Sequence, residues 1–216
     1  RSTLFPYTTL FRSLDNLTIV SEINPNDLIG KFVKNPFTGD KLPILPASFV
    51  SGSYGSGVVF SEPADAPADY IALQDLKNNH EILSKYNLED IIKDVNPIPV
   101  CSVKGYGEIP AADIIEKLQI KNQNDEKLQD ATNELYKIEH SKGRIIKSIP
   151  NYGGKKVSIA REELKEELIA KNIATIMYDF AERPIICRCG ENCVVKIMDN
   201  QWFYPEIGRA SCRERV

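Results

Sequence analysis

"GVVFSEPADAPADYIAL" occupies residues 57–73, and its reading decides the fold. It begins as an apolar β-type run, Val58, Val59 and Phe60, then crosses two prolines. It ends in apolar Ile71 and Leu73, which with Leu76 just beyond it predict a helix. Proline is favoured in the first turn of a helix, where its missing N–H costs nothing, so Pro67 predicts a helix start. A strand passing directly into a helix predicts a domain of mixed α and β structure. Between the two lie Glu62, Asp65 and Asp69. A solvated turn would account for these carboxylates, and so would a strand end that presents a carboxylate to a cationic ligand.

Upstream of this junction, short apolar runs alternate with turn residues. "LTIVSEI" (17–23), "GKFVKNP" (30–36) and "LPILPASFV" (42–50) read as strands, separated by "NPND" and "PFTGD". The prolines within "LPILP" predict an edge or bulged strand. "SGSYGSG" (51–57) is a flexible loop into the next strand. Downstream, "IPVCSVKGYG" (98–107) reads as a strand running into a glycine turn, and Pro110 opens a helix over "AADIIEKL". Leu128, Ala131, Leu135 and Ile138 recur at helical spacing and predict a longer helix whose charged face is solvated. "IAREELKEELIAKN" (159–172) is a charged amphipathic helix with Ser158 as its expected cap. "IATIMYDF", "PIICRC" and "CVVKIM" read as strands. Short strands with interspersed helices predict an α+β fold, a curved sheet or β-barrel with peripheral helices.

The two ends of the 216-residue chain stand apart. "TLFPYTTLFRS" (3–13) and "IGRASCRERV" (207–216) can be encoded by the complementary strands of one DNA stretch that looks like a sequencing adapter. Residues 1–13 and 207–216 are therefore read as adapter-derived tails and set aside. Removing their charge of +4 (five arginines against Glu214) from the total of −3 leaves −7 for the remainder. Such acidity argues against a self-sufficient nucleic-acid binder, which would carry a basic face, but leaves room for a domain that receives RNA from a larger body. No apolar run approaches the roughly 20 residues of a membrane span. Four cysteines remain, Cys101, Cys187, Cys189 and Cys193, too few and too clustered for a secreted disulfide framework, which predicts a reducing cytoplasm.

Three segments together resemble the leucyl-tRNA synthetases in their archaeal and eukaryotic-like form. "GKFVKNPFTGDKLPILPASFV" is similar to that family's GKYVKNPxTGxxxPILPAxFV stretch, and "GVVFSEPADAPADYIAL" to its GVVMSVPAHAPYDYxAL stretch. "ERPIICRCGENCVVKIMDNQWF" resembles the place where the family's chain leaves its editing insertion. The resemblance implies that residues 14–199 are a synthetase editing domain lacking its N-terminal part, a threonine-rich wall of the pocket included, and that residues 200–206 begin the return to the catalytic core. No HIGH-like or KMSKS-like sequence occurs, so ATP and Mg2+ chemistry would belong to a core outside this chain, and editing itself would need no cofactor.

The implied reaction is attack by water on the ester of a mischarged tRNA(Leu). A methylene is worth only ~1–3 kcal/mol to an apolar pocket, so a leucine-specific ligase needs a second, hydrolytic site for near-isosteres. Every such ester carries a free α-ammonium, and a fixed carboxylate anchors it by charge-assisted hydrogen bonds. By the resemblance, Asp69 is that anchor and the expected catalytic-site residue, acting by positioning. Phe60 stands where the family has a pocket-lining methionine, with core packing its alternative. Asp65 replaces a usual histidine, either as a second ammonium contact or, the reading preferred here, as an exposed turn residue. Cys187, Cys189 and Cys193 have C-x-C-x3-C spacing. A zinc site would need a fourth ligand from Cys101, His80 or His140, so buried reduced thiols are expected and no metal. His80 and His140 are expected to face solvent, and Trp202 to pack against the catalytic core. An isoleucyl- or valyl-type editing domain and a noncatalytic RNA-end binding module are the alternatives.

Overall fold

The computed structural model describes residues 23–35, 38–50, 58–174, 176, 180, 185–191, 193 and 195. Both tails, the loop at 51–57, Trp202 and nearly all of the strand expected at 17–23 lie outside them. A 3-10 turn at Pro25–Leu28 is capped by Asn24, whose side chain accepts from Asn26 N. It leads into strand β1 (Phe32–Lys34), which pairs antiparallel with β2 (Lys41–Pro43), Val33 opposite Leu42. Proline is tolerated in β2 because, among the described residues, it is an edge strand of a two-stranded ribbon.

Helix α1 (Pro67–Lys77) starts on the expected proline and is followed by α2 (His80–Tyr86) and α3 (Glu89–Lys93). The next elements are β3 (Cys101–Ser102), α4 (Pro110–Leu118), α5 (Leu128–Lys142), β4 (Arg144–Ile145) and α6 (Val157–Ala170). β3 and β4 pair antiparallel, with Cys101 opposite Ile145, and a bridge from Arg144 to Lys156 adds a third segment.

Helices α1, α4 and α5 enclose one core of Ile71, Ala111, Ile114, Ile115, Ala131 and Leu135. The other side of α1 packs Leu73 and Leu76 on Leu83, Leu88 and Ile92. Burying each of the leucine and isoleucine side chains contributes about 1.5–3 kcal/mol, so α1, which serves both cores, is the central strut.

The architecture is mixed α and β, as expected, but no closed barrel forms among the described residues, which hold two two-stranded ribbons. Much of the expected strand sequence, at 17–22, 177–179 and 196–198, lies outside them. Two local expectations need correction. Ser158 lies inside the first turn of α6, whose N-cap is Lys156, because the Arg144–Lys156 bridge fixes where the extended chain turns. The charged residues of α5 are not all solvated, since Glu139 is buried on the same side as Ala131 and Leu135.

Candidate functional site

Within the junction of residues 58–69, a tight turn at 62–66 is seated on the start of α4. Asp65 N and Ala66 N both donate to Glu62 O, at 3.0 and 2.8 Å, and Ala111 N donates to Ala64 O at 3.0 Å. Ala64, Ala66 and Pro67 are buried, as small or rigid residues must be where a turn is pressed against a helix start. This anchoring gives the neighbouring carboxylates distinct fates.

Asp69, in the first turn of α1, is partly exposed. Its Oδ2 accepts from Glu62 N at 2.6 Å, so the carboxylate is fastened to the segment ahead of α1, where residues 58–62 form no strand, contrary to the expectation for Val58–Phe60. Burial raises its pKa above the ordinary range, and hydrogen bonds from Glu62 N and the Ser61 side chain pull it back. Glu62 is raised as well, by desolvation and then by the charges of Asp65 and Asp69.

Asp65 is not the exposed turn residue expected from sequence. It is 6% exposed, because the turn folds its side chain against β3, where its Oδ1 accepts from Cys101 Sγ at 3.3 Å. Burial raises its pKa, offset by donation from that thiol and from the Val100 and Cys101 amides. Glu139, from the last turns of α5, joins the pair. Its pKa is pushed up to about 8 by burial and then by the charge of Asp65. Burial likewise pushes the Cys101 thiol up. Tyr136, three residues before Glu139 on α5, is pushed up to about 12 by burial and then by the charges of Asp69, Glu62, Glu139 and Asp65. None of the ion pairs among the described residues supplies these carboxylates with a lysine or arginine.

Sequence reading missed Glu139 and Tyr136. The signal for Glu139 was present, since it continues the line of Ala131 and Leu135 at four-residue spacing down the buried side of α5.

Phe60 is 65% exposed and is not packed in either core. Two shallow hollows of about 510 and 470 Å³ lie along α4, one by Tyr106 and Asp113 and the other by Tyr70 and Gln119. Neither is lined by Phe60, Asp65 or Asp69. His80 and His140 are exposed, as expected.

The cysteines near the C-terminal end depart from the expected buried thiols: Cys187 and Cys189 are exposed and Cys193 partly so. They sit on a tight turn in which Cys187 N donates to Glu191 O and Cys193 N to Ile185 O, both at 2.8 Å. That turn passes through Gly190 at φ +87°, and its tip leaves the first two thiols in solvent.

Among solved structures, the fold is that of synthetase editing domains. It matches the crystal structure of GlLeuRS-CP1 with a TM-score of 0.69 at 21% identity, over 79% of this chain and 69% of that one. It also matches the P. knowlesi cytosolic leucyl-tRNA synthetase editing domain, with a TM-score of 0.65 at 25% identity, over 73% of this chain and 53% of that one. No protein-family model matches the chain. In sequence it is 56% identical over 188 residues to leucine–tRNA ligase of Methanothermobacter thermautotrophicus, covering 87% of this chain and 20% of the relative. It is 44% identical over 202 residues to leucine–tRNA ligase of Pyrococcus abyssi, covering 93% of this chain and 21% of the relative. The chain belongs to the leucyl-tRNA synthetase family, in the segment that forms the editing domain. It spans about a fifth of the length of the curated relatives it matches.

Proposed function

We propose that this segment serves, within a leucine–tRNA ligase, to hydrolyse mischarged aminoacyl-tRNA(Leu), with Asp69 anchoring the α-ammonium of the wrong amino acid. The observation that carries this reading is a partly exposed carboxylate, fastened by a backbone amide and given no cationic partner by the ion pairs among the described residues. An ammonium group brought by the substrate would complete that charge balance. Asp69 acts by holding the ester where water attacks, and Phe60, exposed ahead of the turn, supplies apolar lining to the amino-acid pocket. Asp65 contributes by tying the turn ahead of α1 to Cys101 of β3. The partner is the acylated 3′ end of tRNA(Leu), the compartment the cytoplasm, and the domain a β-barrel with peripheral helices. ATP and Mg2+ serve the synthetic core of the intact ligase, and water is the only co-reactant in editing.

The test is Asp69→Ala in a full-length ligase carrying this segment. Losing a charge-assisted hydrogen bond of about 1.5–3 kcal/mol slows deacylation of isoleucyl- or norvalyl-tRNA(Leu) by about 10- to 150-fold while leucylation is retained. Undiminished deacylation refutes the anchor.

A further inference from the structure

Asp65, Cys101 and Glu139 converge from three separate elements: the turn before α1, strand β3 and the end of α5. All three are buried, and one ligand atom from each lies within 4.8 Å of the others. Cys101 Sγ and Asp65 Oδ1 are 3.3 Å apart. Glu139 is 7% exposed, and its Oε1 has no hydrogen-bond partner among the described residues. A buried polar atom without a partner is a standing free-energy cost, and here it sits beside two other potential ligand atoms.

We propose that these three side chains form a binding site for a divalent cation of the zinc class, which ties the turn at residues 62–66 to β3 and α5. The spacing fits. With Zn–S near 2.3 Å and Zn–O near 2.0–2.2 Å, a tetrahedral ion sets its sulfur and oxygen ligands about 3.5 Å apart, so small side-chain adjustments close the site around one ion. The donor set fits too. A thiolate with two carboxylates suits a borderline-soft ion, whereas Mg2+ and Ca2+ call for oxygen alone and Cu(I) for sulfur. The cation would give Glu139 Oε1 the partner it lacks and balance the unpaired carboxylate charge. A water molecule fills the fourth position, and the displaced thiol and carboxyl protons pass to solvent. The proposal does not depend on the ammonium anchor, because Asp69 is not a ligand.

The full 216-residue chain is stripped with a chelator and titrated with Zn2+ or Co2+, with metal per chain measured by elemental analysis and the sulfur-to-cobalt charge-transfer absorption recorded. One equivalent is expected, with a rise in the thermal midpoint. Affinity falls by at least about tenfold in Cys101→Ser and in Glu139→Gln, and is unchanged in a Cys187→Ser/Cys189→Ser variant. Failure of the unmutated chain to bind either ion overturns the proposal however the variants fold. Binding that survives Cys101→Ser but is lost in the Cys187→Ser/Cys189→Ser variant moves the ion to the C-terminal turn and overturns it equally.

Discussion

Glu139 keeps its proton to about 8 when folded, against an ordinary value of 4.5, because burial and the neighbouring Asp65 charge disfavour its ionised form. Between those values the folded chain holds a proton that the unfolded chain has released. Stability from this group is therefore highest below about 4.5, falls as pH rises towards about 8, and levels off beyond. Asp65, raised for the same leading reason, adds to the fall in the same direction. With a chelator present, Glu139→Gln should match the unmutated chain at pH 5 and exceed it by ~1–3 kcal/mol at pH 9, since each unit of pKa shift is worth about 1.4 kcal/mol. Urea unfolding at the two pH values measures this, and equal stability at pH 9 rules out a buried, proton-holding acid. The residues also show where sequence is mute. Asp65 and Asp69 are the same amino acid four positions apart, yet one is buried against a thiol and the other is partly exposed. Nothing local distinguishes them, because the difference comes from the Ala111-to-Ala64 hydrogen bond that seats the turn on α4.

At the scale of elements, α5 must stop where β4 begins, and Gly143 makes the change of direction possible. A Cβ there would sit 2.5 Å from the Glu139 carbonyl oxygen and 3.0 Å from its Cα, both backbone atoms that cannot swing aside. Gly143→Ala is therefore expected to destabilise the chain by about 1–3 kcal/mol and to displace the last turn of α5, Glu139 included. Urea unfolding that shifts by less than a few tenths of a kcal/mol would show that the turn yields without cost. The long helices were legible, since Pro67 and Pro110 mark their starts and Leu128, Ala131 and Leu135 give α5 its period. α2 and α3 were not, because seven and five residues are too few to display a period. Their signals lie in the caps instead: Asn79 accepts from Ile82 N at 3.1 Å, and Asn87 turns left-handed at φ 54°.

At the scale of the whole molecule, family kinship was legible in three motifs, whereas the closure of a pocket was not, because it depends on how segments far apart in sequence are brought together. Within this chain the proposed anchor and the hollows are separate: Asp69 lines neither of the two cavities along α4. The chain also spans only about a fifth of its full-length relatives, so most of the surface that could grip a tRNA belongs to the remainder of such a protein. Positioning is the main catalytic contribution proposed for Asp69, and misplacing a reacting group by an ångström can cost about 10²-fold in rate. The purified 216-residue chain is accordingly expected to release isoleucine from mischarged tRNA(Leu) at least about 100-fold more slowly than a full-length relative at equal concentration. Following labelled isoleucine over time measures both rates. A chain that deacylates within about tenfold of the intact enzyme would mean that the pocket is already complete around Asp69, and that positioning by the rest of the ligase contributes less than ~1.4 kcal/mol to the reaction.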